Sequence, residues 1–150
     1  MTCGPFSFSS EADRFWLANE AKRIAQAEGF SREEQAQLAT SISELVSNAV
    51  KHGGGGGTFT LTVHQGPPTS IQVVIEDDGP GIPEVEDALR DGFSEGRWLT
   101  PDVPMSKRRG LGTGLGAVQR MMTQLTISRR ASGGTRVDTT LVRKMKDRAR

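Results

Sequence analysis

Three short segments hold side chains whose types and spacing can do chemistry together. The first is Glu44-Leu-Val-Ser-Asn48-Ala-Val-Lys51-His52. Its carboxylate, amide and ammonium stand at offsets 0, 4 and 7, which puts Glu44, Asn48 and Lys51 on one face of a helix. Asn48 offers a neutral oxygen to a hard cation such as Mg²⁺, which takes oxygen ligands and keeps several waters. Glu44, one turn away, can orient or deprotonate a hydroxyl or water that attacks a terminal phosphate. Lys51 or His52 can reach phosphate oxygens. Taken alone, the same residues also describe an ordinary solvated helix face.

The second segment is Asp77-Asp78-Gly79-Pro80-Gly81, which directly follows a strand-like run. A carboxylate there can accept from the amine of adenine, and glycines let the backbone pass close to a flat base. Asp77, at the strand end, is the expected adenine contact, and Gly79 and Gly81 line the pocket. A plain Asp-Gly turn is the competing reading. The third segment runs Gly110-Leu111-Gly112-Thr113-Gly114-Leu115-Gly116 and leads into a helix expected near Leu115. Loops of this kind expose successive backbone N–H groups, and a helix N-terminus adds partial positive charge. Gly110, Gly112, Thr113, Gly114, Leu115 and Gly116 are therefore expected around a triphosphate. A flexible linker is the competing reading. No strand closely precedes this loop, so a dinucleotide fingerprint does not fit, and without Gly-Lys-Ser/Thr it is not a Walker loop. Thr135, just past Gly133-Gly134, can join a hydrogen-bond network under the base. In this order the three segments describe a site for ATP and magnesium.

The elements that must position these groups are legible from pattern. A first helix is expected over 10–29, capped by Ser9 or Ser10, repeating on Phe15, Ala18, Lys22 and Ala25, and ended by Gly29. Phe6, Phe8, Phe15 and Trp16 are expected in the core, and Trp98 is a candidate partner anchor. A second helix starts at Ser31, with Glu34 at the capping-box position and Leu38, Ile42, Leu45 and Ala49 as its buried stripe. Glu44, Asn48 and Lys51 lie on the other side. Five glycines, 53–57, stop it. Strands over 58–64 and 71–76 form a hairpin. A short helix over 84–90 follows, then a stretch over 92–110 without a period, as expected of a lid. A helix over 115–122 leads to strands over 125–130 and 135–143 around Ser132-Gly-Gly134. The order implies an α/β protein of α+β sandwich type. Its sheet is mixed and mostly antiparallel, with helices layered on one face.

At 150 residues the chain is one domain by length. The core is expected over about 10–143, the lid over about 92–112 and a basic tail over 144–150. With 19 basic and 18 acidic residues the net charge is +1, which gives no electrostatic reason to expect nucleic acid or an anionic membrane as partner. The single cysteine, Cys3, has no partner for an internal disulfide and no metal-ligand spacing with His52 and His64. No apolar run approaches the roughly 20 residues of a membrane span, and no signal peptide is evident. A cytoplasmic protein is expected.

Together the segments resemble the N, G1 and G2 boxes of the Bergerat-type (GHKL) ATP-binding fold of gyrase, heat-shock chaperones, mismatch-repair proteins and histidine kinases. Thr40-Ser-Ile-Ser-Glu-Leu-Val-Ser-Asn48, Glu76-Asp-Asp-Gly-Pro-Gly-Ile-Pro83, Asp91-Gly-Phe-Ser94 and the glycine loop look most like the anti-sigma-factor serine/threonine kinases, near the stressosome switch kinases. The resemblance implies ATP and Mg²⁺ as cofactors. It implies phosphoryl transfer to a Ser or Thr of an antagonist protein with a STAS domain, and a sigma factor or PP2C-type phosphatase downstream. A homodimer is compatible with it. By motif, Glu44 is the base, Asn48 the magnesium ligand, Asp77 the adenine acid, and Gly79, Gly81, Gly112, Gly114 and Gly116 the pocket glycines. The segment from Glu95 to Arg109 is longer than the stressosome branch leads one to expect, and the 53–57 glycine run is unusual. A binding module that holds a sigma factor or phosphatase, with ATP as a structural ligand, would use the same residues. The catalytic half of a histidine kinase fits less well, since 43 residues before Glu44 leave little room for a dimerising helix pair.

Overall fold

A computed structural model of the chain describes residues 1–52, 54–79, 93–94, 97–98 and 111–145. Along the chain run β1 (Thr2–Phe8), α1 (Asp13–Ala27), α2 (Arg32–His52), β2 (Gly57–His64) and β3 (Ser70–Asp77). These are followed by β4 (Phe93–Ser94), β5 (Arg97–Trp98), α3 (Leu111–Met121), β6 (Gln124–Arg129) and β7 (Thr135–Val142). The main sheet has the order β1-β2-β3-β7-β6. Its pairings are all antiparallel, so the mixed component expected from sequence is not seen among the described residues.

The strand alternation sets the layers. Phe59, Leu61 and Val63 of β2, Ile71, Val73 and Ile75 of β3, and Val137 and Leu141 of β7 are buried on one face. Intervening positions such as Thr60, Gln72, Val74 and Asp138 lie on the other face and are half-buried. The inward side chains form one core with Leu17, Ile24, Leu38, Ile42, Val46, Leu115 and Val118 from the helices. Each fully buried aliphatic side chain contributes about 1.5–3 kcal/mol of hydrophobic stabilisation before entropy is counted.

The capping box of α2 forms as its sequence demands. The Glu34 backbone N–H donates to Ser31 Oγ at 3.1 Å, and the Ser31 N–H donates to Glu34 Oε1 at 2.8 Å. Leu38, Ile42, Leu45 and Ala49 are all buried. The helix stops at His52, ahead of the glycines.

Several expectations need correction. In α1 the buried stripe is Leu17, Ala18, Ala21, Ile24 and Ala25, while Lys22 is exposed. Phe15 and Trp16 are 59% and 43% exposed, so they are not core, although Phe8 is. Trp16 instead stacks edge-on against Phe6, and the Arg14 guanidinium lies over the Phe15 ring. Leucine, isoleucine and three alanines outcompete the aromatics because they let α1 lie closely on α2. No serine side chain caps α1. The Asp13 carboxylate closes its start, accepting from the backbone N–H groups of Ser9 and Ser10 and from Trp16 Nε1.

Strand β1 was not foreseen, because Gly4-Pro5 reads as a breaker. It survives at the sheet edge, with a register shift between Cys3 and Phe6 that accommodates the proline. Within the stretch read as lacking a period, Phe93–Ser94 pairs with Arg97–Trp98, a ladder too short to leave an alternating pattern. Helix α3 starts at Leu111, four residues before the expected start at Leu115, so Gly112 and Gly114 belong to the helix and not to a loop ahead of it. Glycine costs about 1 kcal/mol in a helix but does not forbid it, and burial of Leu115, Val118 and Met122 favours the helical turn. The expected helix over 84–90, most of the lid and the end of the basic tail lie outside the described residues. Among the described residues no helix is long and apolar enough to cross a membrane.

Candidate functional site

The site forms where α2 ends, β3 ends and β7 begins. Asp77 is the last residue of β3, and inward alternation buries its carboxylate to 7% exposure. Its Oδ1 accepts from the backbone N–H of Gly79 at 3.0 Å and of Thr135 at 3.3 Å. Burial pushes the Asp77 carboxyl above the usual carboxylate range. The two amide bonds and the Arg130 charge oppose that shift without cancelling it. Thr135 opens β7 and is itself buried.

The turn before Thr135 is moulded to Asp77. Gly134 has φ +87°, and a Cβ there would overlap the Asp77 carbonyl oxygen. Only glycine tolerates both the left-handed backbone and this approach. Arg130, from the same turn, donates through Nη1 to the Asp77 carbonyl at 2.8 Å and to Asp78 Oδ1 at 2.6 Å.

Helix α2 supplies the other side. Asn48 is 8% exposed, and its Nδ2 has no hydrogen-bond partner among the described residues. Buried amides are nearly always paired, so an orphaned nitrogen, which can only donate, marks a place for an acceptor such as a phosphate or carbonyl oxygen. Glu44, one turn earlier, is half-buried. At Glu44 and Asn48 the polar face of α2 is thus less solvated than its sequence suggests. Gly54, just past α2, lies against the Asp78–Gly79 turn, where a Cβ built on it would sit 3.3 Å from the Gly79 Cα. The end of α2 and the end of β3 therefore converge.

Lys51 is placed differently from Asn48. It is exposed, and its ammonium lies 3.7 Å from Glu11 Oε1. The hydroxyl of buried Ser47 donates to the same carboxylate oxygen at 2.6 Å. That bond, aided by Lys51 and Arg14, holds Glu11 below its ordinary value. Leu115 and Gly116 are buried in α3. Gly112, Thr113 and Gly114 lie in the first turns of that helix, while Gly81 and Gly110 fall outside the described residues.

Sequence reasoning missed Arg130, Gly134 and the Glu11–Ser47–Lys51 group. Arg130 sits in no motif, and its grip on the end of β3 depends on the β3–β7–β6 register. Gly134 left a signal in the Gly133-Gly134 pair, which was read only as a turn.

The site thus holds a buried acceptor, Asp77, against a tight glycine turn, while α2 contributes the half-buried Glu44 and the buried amide of Asn48. Residues 33–145 match the family model of histidine kinase-, DNA gyrase B- and HSP90-like ATPases. The chain is 31% identical over 116 residues to the serine/threonine-protein kinase RsbT of Bacillus subtilis (strain 168), covering 77% of this chain and 78% of that relative. It is 26% identical over 137 residues to the anti-sigma F factor of Geobacillus stearothermophilus, covering 88% of this chain and 85% of the relative. Among solved structures, the RsbU and RsbW domains of a Mycobacterium tuberculosis protein share its fold with TM-score 0.58 at 16% identity, over 95% of this chain and 34% of that one. A mycobacterial sensor histidine kinase, MprB, does so with TM-score 0.53 at 19% identity, over 95% of this chain and 100% of that one.

Proposed function

Because the chain belongs to the histidine kinase-, DNA gyrase B- and HSP90-like ATPase family, we propose that it is an ATP- and magnesium-dependent protein-serine/threonine kinase of a bacterial partner-switching pathway. Its substrate is a serine or threonine hydroxyl on a STAS-type antagonist protein. The modification changes how a sigma factor or a phosphatase is held.

The observation that carries this reading is the buried Asp77–Thr135 pair facing the end of a helix that presents Glu44 and an orphaned Asn48 amide. Asp77, backed by Thr135, takes the adenine amine. Asn48 holds the magnesium ion. Among the described residues no three His, Cys, Asp or Glu side chains cluster as a metal cage, which suits an ion held by few protein ligands and by phosphate oxygens. Gly79, Gly81, Gly110, Gly112, Thr113, Gly114, Leu115 and Gly116 line the nucleotide. Lys51 can leave Glu11 for phosphate, since both partners of that ion pair are half-exposed and such surface pairs are weak.

Bound Mg-ATP supplies the phosphoryl group, which passes to the hydroxyl oxygen as the bond to the leaving ADP breaks. Glu44 orients that hydroxyl and takes its proton.

The test is transfer of label from Mg-ATP to STAS-domain proteins by the purified chain. Wild type is expected to label one of them. Glu44→Gln should lower transfer by about 100-fold or more and leave nucleotide affinity within about threefold. Unchanged transfer in that variant removes Glu44 as the base. The similarity to an anti-sigma F factor favours a second reading, a regulatory module that holds a sigma factor with ATP as ligand. Tight ATP binding and ATP-dependent sigma-factor capture, with no transfer to any antagonist, would select it.

A further inference from the structure

Arg130 makes contacts that neither the fold nor the proposed chemistry requires. Its guanidinium grips three consecutive residues at the end of β3. Nη1 donates to the Asp77 carbonyl and to Asp78 Oδ1, and Nε lies 3.4 Å from Glu76 Oε2. The Arg130 side chain is 26% exposed, whereas that of Asp78 is 89% exposed. Such an exposed partner adds little stability through charge alone. The bond to the Asp77 carbonyl is of another kind. It falls beyond the last β3–β7 pair, Glu76–Arg136, where no strand neighbour on the β7 side fixes the peptide.

Arg130 is itself held. Its N–H donates to the Gly134 carbonyl at 3.1 Å, and its carbonyl accepts from the Gly133 N–H at 3.0 Å. The guanidinium thus ties a closed turn to the chain end that it faces. The two amides that fix Asp77 Oδ1 come from those two segments, Gly79 from one and Thr135 from the other. Arg130 clamps the same two segments from outside the carboxylate, beside the Arg136–Glu76 pair.

We propose that Arg130 is a positioning residue for base recognition. It sets the direction of the Asp77 carboxylate toward the six-position amine of adenine, and with it the preference for adenine over 6-oxopurines. It acts through the Asp77 backbone and carboxylate, and the proposal rests on the reading that Asp77 meets adenine. An inosine nucleotide carries an oxygen where adenine carries that amine. With its donor moved to N1–H, it meets a carboxylate aimed at the six position with an acceptor, not a donor, and so serves as the probe.

The experiment is calorimetric titration of the full chain with Mg-ATP and with Mg-ITP, for wild type, Arg130→Ala and Arg130→Gln. Urea midpoints identify any variant that does not fold. Arg130→Gln keeps the stem and one amide donor, so it reports even where the alanine variant fails. Wild type is expected to prefer ATP. In the variants ATP binding should weaken by about tenfold, the worth of one aligned hydrogen bond to a charged group, while ITP binding changes by less than about twofold. Equal weakening of both nucleotides, as a general loss of packing would give, overturns the proposal. So does an unchanged preference. A wild-type chain that binds no ATP overturns the nucleotide reading itself, whereas binding with an unaltered preference in the variants overturns only the role of Arg130.

Discussion

Asp77 pits recognition against stability within one side chain. Its carboxyl is raised by burial, so the folded chain binds a proton more readily than the unfolded chain does. The stability contributed by that proton is complete below the ordinary carboxylate value, about 4, and is lost as pH rises through the higher native value. At neutral pH the buried charge is therefore a net cost that serves the ligand. Asp77→Asn keeps an oxygen for the Gly79 and Thr135 amides but removes the charge. Its urea midpoint at pH 7 should equal or exceed that of wild type, and the pH dependence of stability above about 4 should flatten. Its Mg-ATP affinity should fall by about tenfold or more. Asn48 poses the same contrast without titration, since one end of its amide is buried and unpaired. Asn48→Ala relieves that penalty and improves helix propensity, so urea unfolding should show a gain of up to about 1 kcal/mol. Nucleotide titration should meanwhile lose its dependence on magnesium.

Among the elements, α2 is fixed at its N-terminal end from two sides. Glu34 is 4% exposed. One carboxylate oxygen caps Ser31, and the other accepts the Lys144 N–H at 2.8 Å, just past β7. Ser31→Ala should cost about 1 kcal/mol in chemical denaturation. Glu34→Ala should cost about 2 kcal/mol, because it strips two amides, and faster hydrogen exchange at Lys144 would mark the second loss. The course of α2 was readable because cap, stripe and glycine stop agree on one answer. The β2–β3 and β6–β7 hairpins were readable because their alternation and turns agree. Elsewhere local signals conflicted with tertiary ones. In α1 the period was visible but its phase was not, since aromatic residues and a leucine–alanine stripe competed for the core. In β1 the Gly-Pro pair concealed an edge strand, and in α3 the glycines concealed the first helical turns. The acids and amide of the site were readable as types in order. Arg130 was not, because it is brought to Asp77 only by sheet register.

At the scale of the whole molecule, one apolar core joins the helices to the inner sheet face, and the candidate site lies at the end of that same unit. Exposed aromatics stand outside this coupling. Phe15→Ser should shift stability by less than about 0.5 kcal/mol, whereas Leu17→Ala, at 0% exposure, should cost about 2–5 kcal/mol by the same denaturation assay. The nucleotide stands inside the coupling. The residues proposed to hold it come from α2, β3, β7 and α3, elements that separate on unfolding, so on that reading binding favours the folded chain alone. Mg-ATP at 100 times its dissociation constant should then add about 2.7 kcal/mol, a rise in melting temperature of roughly 5–10 °C for a chain of this size. Differential scanning fluorimetry with and without Mg-ATP measures it directly. Asp77→Asn and Asn48→Ala should lose most of the shift while melting no earlier than wild type without ligand. Glu44→Gln should keep the shift in full, since a proton acceptor for the attacking hydroxyl contributes to transfer and not to holding the nucleotide.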